Sequence, residues 1–251
     1  MKSLSRYIYE KPIFLTLIRE IEGEFYLRFK SLIKGKVLDF GCGDGFFAKE
    51  FIRTKIDTAF DIEPKINPLA VNSGIYKKVI IGKGSDLPFG DNTFDTVISN
   101  CVLEHIPNLK DSLDEIGRVL KPGGYFIATV MEKHWDDYLL GTKFFGGFYS
   151  EWMRHKQVHY NLLSVNGWIK AIEKAGMKVE TKEIYLTRRL SRTIDLFHYL
   201  GIGDLLTHKI FKKWVIFPSG RKMFPLGQII DWGRKDIKNI GGALFIIARK
   251  I

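Results

Sequence analysis

The run "VLDFGCGDGFF" at residues 37–47 sets apolar residues on both sides of alternating glycines. A buried strand that ends in Gly41, Gly43 and Gly45 and enters a helix brings bare backbone to a ligand where a Cβ would collide. The helix start adds unpaired N–H groups and a partial positive charge, suited to a carboxylate or phosphate. A dinucleotide turn reads G-x-G-x-x-G and needs glycine at 46, where this chain has Phe46. A nicotinamide dehydrogenase is therefore disfavoured. Asp39 lies in the strand, and Asp61 follows Gly41 by 20 residues, at the end of the next strand. A carboxylate there can accept both hydroxyls of a ribose, so the pattern points to a nucleoside-type ligand. Plain strand-end caps remain the alternative for both acids.

Hydrophobic periodicity supplies the surrounding framework. Leu17, Ile21, Phe25, Phe29 and Leu32 fall at helical spacing within residues 12–33. "KVLDF", "DTAFDI", "KKVIIG", "FDTVISN", "YFIATV", "KVETKEIYL" and "ALFIIARK" read as seven strands. Helices are expected over "DGFFAKEFIRTK", over "NLKDSLDEIGRVL" up to Pro122-Gly123-Gly124, and from an N-cap at Ser164 to Gly176. Strands alternating with helices predict an α/β fold, with a mainly parallel sheet and helices on both faces.

Five stretches in order, "VLDFGCGDG", "AFDIEP", "SDLPFGDNTFDTVISNCVLEHI", "EIGRVLKPGGYFIATV" and "GWIKAIEKAGMKV", resemble the class I S-adenosylmethionine-dependent methyltransferases of small-molecule type, the methyltransferase type 11 group. The likeness covers about residues 35–186 and the final strand. It implies a Rossmann-like doubly wound sheet of seven strands with an antiparallel last strand, and S-adenosylmethionine as cofactor. By the same likeness Gly41, Cys42 and Gly43 would lie against the methionine part, with Asp39 ordering its ammonium group. Asp61 would hold the ribose hydroxyls and Ile62 would pack on the adenine. Asp86 and Leu87 would sit beside the adenine, and Asn100 would line the methionine side. Many relatives carry an acid two places after the third strand; this chain reads Gly82-Lys83-Gly84 there. Lysine cannot accept from the adenine amino group, which leaves that task to Asp86.

Such an enzyme places an acceptor atom in line with the S–CH3 bond, and an oxygen acceptor also needs a base. Glu104 and His105 follow the fourth strand, and His155 and His159 precede the helix at Ser164. His105 and His159 are the candidate catalytic residues, with a packing histidine as the plainer reading of each. No histidine pair has zinc-ligand spacing with cysteine, and no G-x-S-x-G elbow occurs, so no metal is expected. An RNA methyltransferase and a non-catalytic cofactor-binding subunit needing a partner are the rival readings of the whole chain.

The 251 residues suit one methyltransferase domain, 1–251, with an N-terminal helical segment at 1–34 and a basic aromatic insertion at 188–241. Two cysteines, no secretory leader and no apolar run of about 18–20 residues predict a cytoplasmic protein, with peripheral contact at a membrane left open. The net charge of +11 is uneven: from Thr187 onward 13 Lys/Arg face 4 Asp/Glu, whereas the preceding 186 residues carry +2. "HKIFKKWVIFPSGRKMF" interleaves Phe211, Trp214, Phe217 and Phe224 with Lys209, Lys212, Lys213, Arg221 and Lys222. Such a segment suits a lid with solvated lysines, an anionic membrane surface, single-stranded nucleic acid or a protein partner. A lipid, a glycan or another small molecule is the expected acceptor, and nucleic acid the less favoured partner.

Overall fold

The computed structural model describes residues 5–235 and 241–251; part of the 1–34 segment and residues 236–240 of the insertion lie outside that range. Seven strands form one sheet: β1 (Val37–Phe40), β2 (Ile56–Asp61), β3 (Tyr76–Ile81), β4 (Phe94–Asn100), β5 (Leu120–Met131), β6 (Met177–Tyr185) and β7 (Ala243–Lys250). Their order is β3-β2-β1-β4-β5-β7-β6, and only β7 runs antiparallel to its neighbours. The α/β fold, the mainly parallel sheet and the antiparallel last strand agree with the sequence reading.

Among the described residues ten α-helices surround the sheet: α1 (Tyr7–Glu10), α2 (Ile13–Arg28), α3 (Asn67–Ser73), α4 (Leu109–Val119), α5 (Trp135–Tyr138), α6 (Leu140–Gln157), α7 (Val165–Lys174), α8 (Arg188–Leu200), α9 (Ile202–Phe211) and α10 (Leu226–Arg234). Alternate residues of each central strand feed opposite cores, as a two-sided sheet requires. Ile98, Ile127, Phe245 and Ile247 join Leu17, Ile21 and Phe25 of α2 on one face. Val97, Phe126, Leu244 and Ile246 join Leu113 and Ile116 of α4 and Trp168 and Ile172 of α7 on the other. The stripe on α2 is thus a core-facing stripe, and Phe25 stacks on Phe245 at 4.7 Å. Ser164 caps α7 as expected, its Oγ accepting from the Gly167 amide at 3.1 Å.

Two local expectations need correction. The helix after β1 was expected across "DGFFAKEFIRTK" but is a short segment, wound at π pitch over Ala48–Ile52. The left-handed Arg53 ends it, its N–H reaching Ala48 C=O at 3.1 Å. Pro122-Gly123-Gly124 was expected to precede the fifth strand, yet β5 already starts at Leu120. The triplet lies inside the strand where its register against β4 shifts, because a bulge tolerates proline and a positive φ of 75° at Gly123.

Candidate active site

The sheet order reverses between β1 and β4, and at that switch point the carboxyl ends of the parallel strands open a crevice. The glycine turn closes one side of it. Gly41 has φ +78° and a Cβ there would stand 2.4 Å from Val102, so the residue is fixed by space as well as conformation. Gly43 has φ +52° and a Cβ there would meet nothing within 4 Å, which leaves open space over bare backbone. The expected set of free amides is mostly absent. Gly41 and Cys42 donate to Phe60 C=O at 2.8 and 3.1 Å, Gly45 to Cys42 C=O, and Phe46 to Asp44 Oδ1. The turn offers a ligand shape more than a nest of donors.

Asp61 joins the turn to β2. Its two oxygens accept from Gly43 N–H at 2.9 Å and Glu63 N–H at 3.0 Å, which hold the carboxylate at the sheet edge. Asp39 is buried and accepts from Tyr76 Oη of β3 at 2.6 Å. Burial pushes its carboxyl up to about 7, against the Tyr76 hydrogen bond, and the charge of Asp61 adds to the rise. Cys42 is buried, and desolvation raises its thiol well above the ordinary range. Ile62 is 68% exposed beside Asp61, an apolar side chain with nothing yet covering it.

The remaining predicted contacts divide. Asp86 is exposed, with its N–H given to Lys83 C=O at 3.0 Å. Leu87 is buried in the core shared with Phe40 and Phe60, and its N–H donates to Glu115 at 2.7 Å. Asn100 is tied on both ends of its amide: Nδ2 donates to Glu22 at 3.0 Å and Oδ1 accepts from Thr129 at 2.9 Å. Leu87 therefore has no amide to spare, and the side chain of Asn100 is already partnered.

Beyond the ends of β4 and β5 lies a cavity of about 250 Å3. Its walls are mostly apolar: Phe14 and Ile18 of α2, Met131 at the end of β5, Trp135 and Leu139 after it, Met153 of α6 and Ile194 of α8. Glu104, His105 and His159 supply its polar end, with Arg19, Gln157, Asp195 and His198 around them. The two predicted histidines do meet. Tyr160 and Asn161 N–H both donate to Glu104 C=O, at 2.8 and 3.0 Å, which lays the 158–161 segment on the turn after β4. The His105 and His159 rings then stand 4.9 Å apart, and His105 Nδ1 lies 3.2 Å from Val158 C=O.

Their electrostatics differ from a conventional base. Burial, then His105 and Arg154, holds His159 down to about 3, so its imidazole is neutral near pH 7. Burial also lowers His105. Glu104 is fully buried, and desolvation lifts it to about 7. Its Oε1 accepts from Met131 N–H at 3.3 Å, whereas Oε2 has no partner, nor does His159 Nδ1. His134 and Asp136, also near β5, are instead paired with Glu132 and Arg154.

In and behind the cavity wall lies a set of polar groups that the sequence pattern does not reveal. Buried Glu22 of α2 is paired with Arg19 and accepts from Cys101 Sγ at 2.9 Å, Tyr185 Oη at 2.8 Å and Asn100. Asp195 of α8 accepts from Tyr149 Oη at 2.8 Å and Gly141 N–H at 2.9 Å, and so clamps α6 to α8. Both acids lie on buried helix faces, Glu22 beside Ile18 and Ile21, and Asp195 beside Leu190, Ser191 and Ile194. For Glu22 the apolar neighbours were the available signal; Asp195, with Ser191 and His198 on its own stripe, gave less.

Residues 38–128 match the methyltransferase domain family. An uncharacterized protein of Methanocaldococcus jannaschii is 36% identical over 169 residues, 66% of this chain and 74% of its own length. Sterol 24-C-methyltransferase of Schizosaccharomyces pombe is 30% identical over 229 residues, 82% of this chain but 56% of that enzyme. The chain thus spans little more than half of the sterol enzyme. Among solved structures, an S-adenosylmethionine-dependent methyltransferase from Mesorhizobium loti superposes with a TM-score of 0.57 at 15% identity, covering 92% of this chain and all of the other, which speaks to the fold. Ordered motifs, sheet order, open glycine turn and these relatives agree: the chain belongs to the class I S-adenosylmethionine-dependent methyltransferases.

Proposed function

We propose that this methyltransferase acts on a small acceptor with a largely apolar body, of lipid type, whose reacting atom faces Glu104. One observation carries the reading: an apolar cavity at the ends of β4 and β5 ends in a fully buried carboxyl with one unpartnered oxygen. A buried polar group without a partner costs on the order of 1–3 kcal/mol, and an acceptor O–H or N–H would relieve that cost. Kinship with a sterol methyltransferase is consistent with an apolar acceptor.

S-adenosylmethionine, when bound, supplies a methyl group activated by a positively charged sulfur. Gly41, Cys42 and Gly43 would carry its methionine part over bare backbone, with Asp39 and Asn100 flanking it. Asp61 would take the ribose hydroxyls, with Ile62 and Asp86 toward the adenine. Leu87 would contribute through the core that supports this wall. Glu104 takes the proton that the acceptor loses as its new bond to carbon forms. A base titrating near the working pH is the effective choice, which favours Glu104 over His159. His159 and His105 would orient the acceptor as neutral hydrogen-bonding rings. Helices α2, α6 and α8 keep water from the reacting atoms.

Labelled methyl transfer from S-adenosylmethionine into fractionated cell extract tests the reading, with lipid, sugar and RNA fractions counted separately. Label in the lipid fraction is expected. Label confined to sugar or RNA overturns the acceptor class.

A further inference from the structure

Helix α9 has the pattern of a core helix and the exposure of a surface one. Ile202, Leu205, Leu206 and Ile210 recur at helical spacing and are 44–69% exposed, and no residue of the helix is buried. Phe211 at its end and Phe217 and Met223 beyond it are 58%, 77% and 92% exposed. Such a contiguous apolar stretch asks for a cover.

The charges around it are of one sign. Between residues 196 and 230 Asp204 is the sole acid, and Arg221 neutralises it, donating from Nη2 to both oxygens at 2.8 Å. Lys209, Lys212, Lys213 and Lys222 are exposed, with no ion pair among the described residues. The lobe is nevertheless fixed in place. His208 stacks on Trp214 at 4.1 Å, and Arg221 Nη1 donates to Lys11 C=O at 2.8 Å, which ties the lobe to the N-terminal segment.

We propose that α9 and the loop behind it dock on an anionic lipid surface. Aliphatic and phenyl groups sink past the headgroups while lysine tips stay at headgroup level, each long stem lying along the apolar face. A rim whose one acid is neutralised by Arg221 favours anionic headgroups over a protein surface of mixed charge. Nucleic acid fits less well: Trp214 is occupied by His208, and much of the exposed apolar surface is aliphatic rather than stacking. Because α8, which lines the cavity, leads directly into α9, a docked lobe would bring the cavity's helical wall close to the bilayer. The surface itself does not depend on which acceptor is methylated.

Co-sedimentation of the full chain with phosphatidylcholine vesicles, with and without phosphatidylglycerol, tests the idea. Binding is expected only with phosphatidylglycerol present. Replacing Lys209, Lys212, Lys213 and Lys222 by Gln should weaken it about fivefold per lysine, several hundredfold in all. Ile210→Ser with Phe217→Ser should weaken it at least tenfold even where salt screens the charges. All six positions are exposed, and an unchanged melting temperature confirms intact variants. Wild-type protein that ignores anionic vesicles overturns the proposal, as does vesicle binding indifferent to the lysines. Tighter, salt-steep binding to single-stranded RNA, or a dimer abolished by Ile210→Ser, assigns the face to another occupant and equally overturns it.

Discussion

At the glycine turn, the proposed cofactor side of the crevice, the acids are already partnered: Asp39 accepts from Tyr76, and Asp61 from two backbone amides. At the cavity beyond β4 and β5, the proposed acceptor side, Glu104 Oε2 and His159 Nδ1 are buried with none, two of six such atoms among the described residues, and both border one cavity. Both sides hold a carboxyl lifted to about 7 by burial, so burial alone does not separate them. Satisfaction does. An unpartnered buried atom leaves a hydrogen bond that a bound molecule can supply, and under the proposed function that molecule is the acceptor.

The largest way to break that contrast is Glu104→Gln. The amide keeps the shape and can still accept from Met131 N–H, yet it cannot take a proton. Methyl transfer should fall about 100- to 10,000-fold, the range general bases supply, with cofactor affinity within about twofold. In the wild type, the rate under saturating substrates should climb with pH through about 7 as Glu104 ionises, and the variant should lose that limb. A variant retaining a tenth of the rate, or the limb, would return the role to the histidines.

A second effect concerns stability. Glu104 has an ordinary value of 4.5 and a folded value of about 7, so the unfolded chain releases its proton first. Its contribution is fully present below about 4.5, declines as pH rises to about 7, and is flat beyond. Asp39 follows the same sign over the window from 3.8 to about 7. Glu104→Gln should therefore melt with the wild type at pH 4 and above it at pH 8. The gap should be on the order of 3 kcal/mol or less, at roughly 2–4 °C per kcal/mol for a chain of this size. Scanning calorimetry at the two pH values decides it. A variant less stable at pH 8 would mean that the Glu104 charge is compensated in the fold.

The contrast between the two sides also governs what could be read from the letters. The strands were legible because a two-sided parallel sheet writes itself as apolar runs, and Gly41 with Asp61 stood at a fixed spacing. His105 and His159 were legible as residue types beside strand ends. Their juxtaposition was not, since it depends on the 158–161 backbone pairing with Glu104 C=O across more than fifty residues of chain. Glu104 gave its position but not its burial. Glu22 and Asp195 were hidden because local pattern treats an acid on a helix as solvated, and only packing from α2, α6 and α8 shows otherwise. The short π turn after β1 was invisible for a similar reason: helical periodicity does not distinguish one pitch from another over two turns.

The smallest expected effects come from the cofactor side, where each contact is one of several. Asp61→Ala removes the proposed ribose acceptor and should weaken S-adenosylmethionine binding at least tenfold by calorimetry, about 1.4 kcal/mol. It also frees the Gly43 and Glu63 amides, but Asp61 is only partly buried, so water can replace the lost acceptor and the sheet should stay folded. Asp86→Ala should cost less, about threefold, because its exposed carboxylate would meet the adenine in competition with water. The ratio between the two is the informative quantity. If Asp86→Ala matched Asp61→Ala, the adenine edge would be held as firmly as the ribose despite Lys83. If Asp61→Ala bound normally, the carboxylate would be a brace for the glycine turn, and the nucleoside would have to be held by other groups along the crevice.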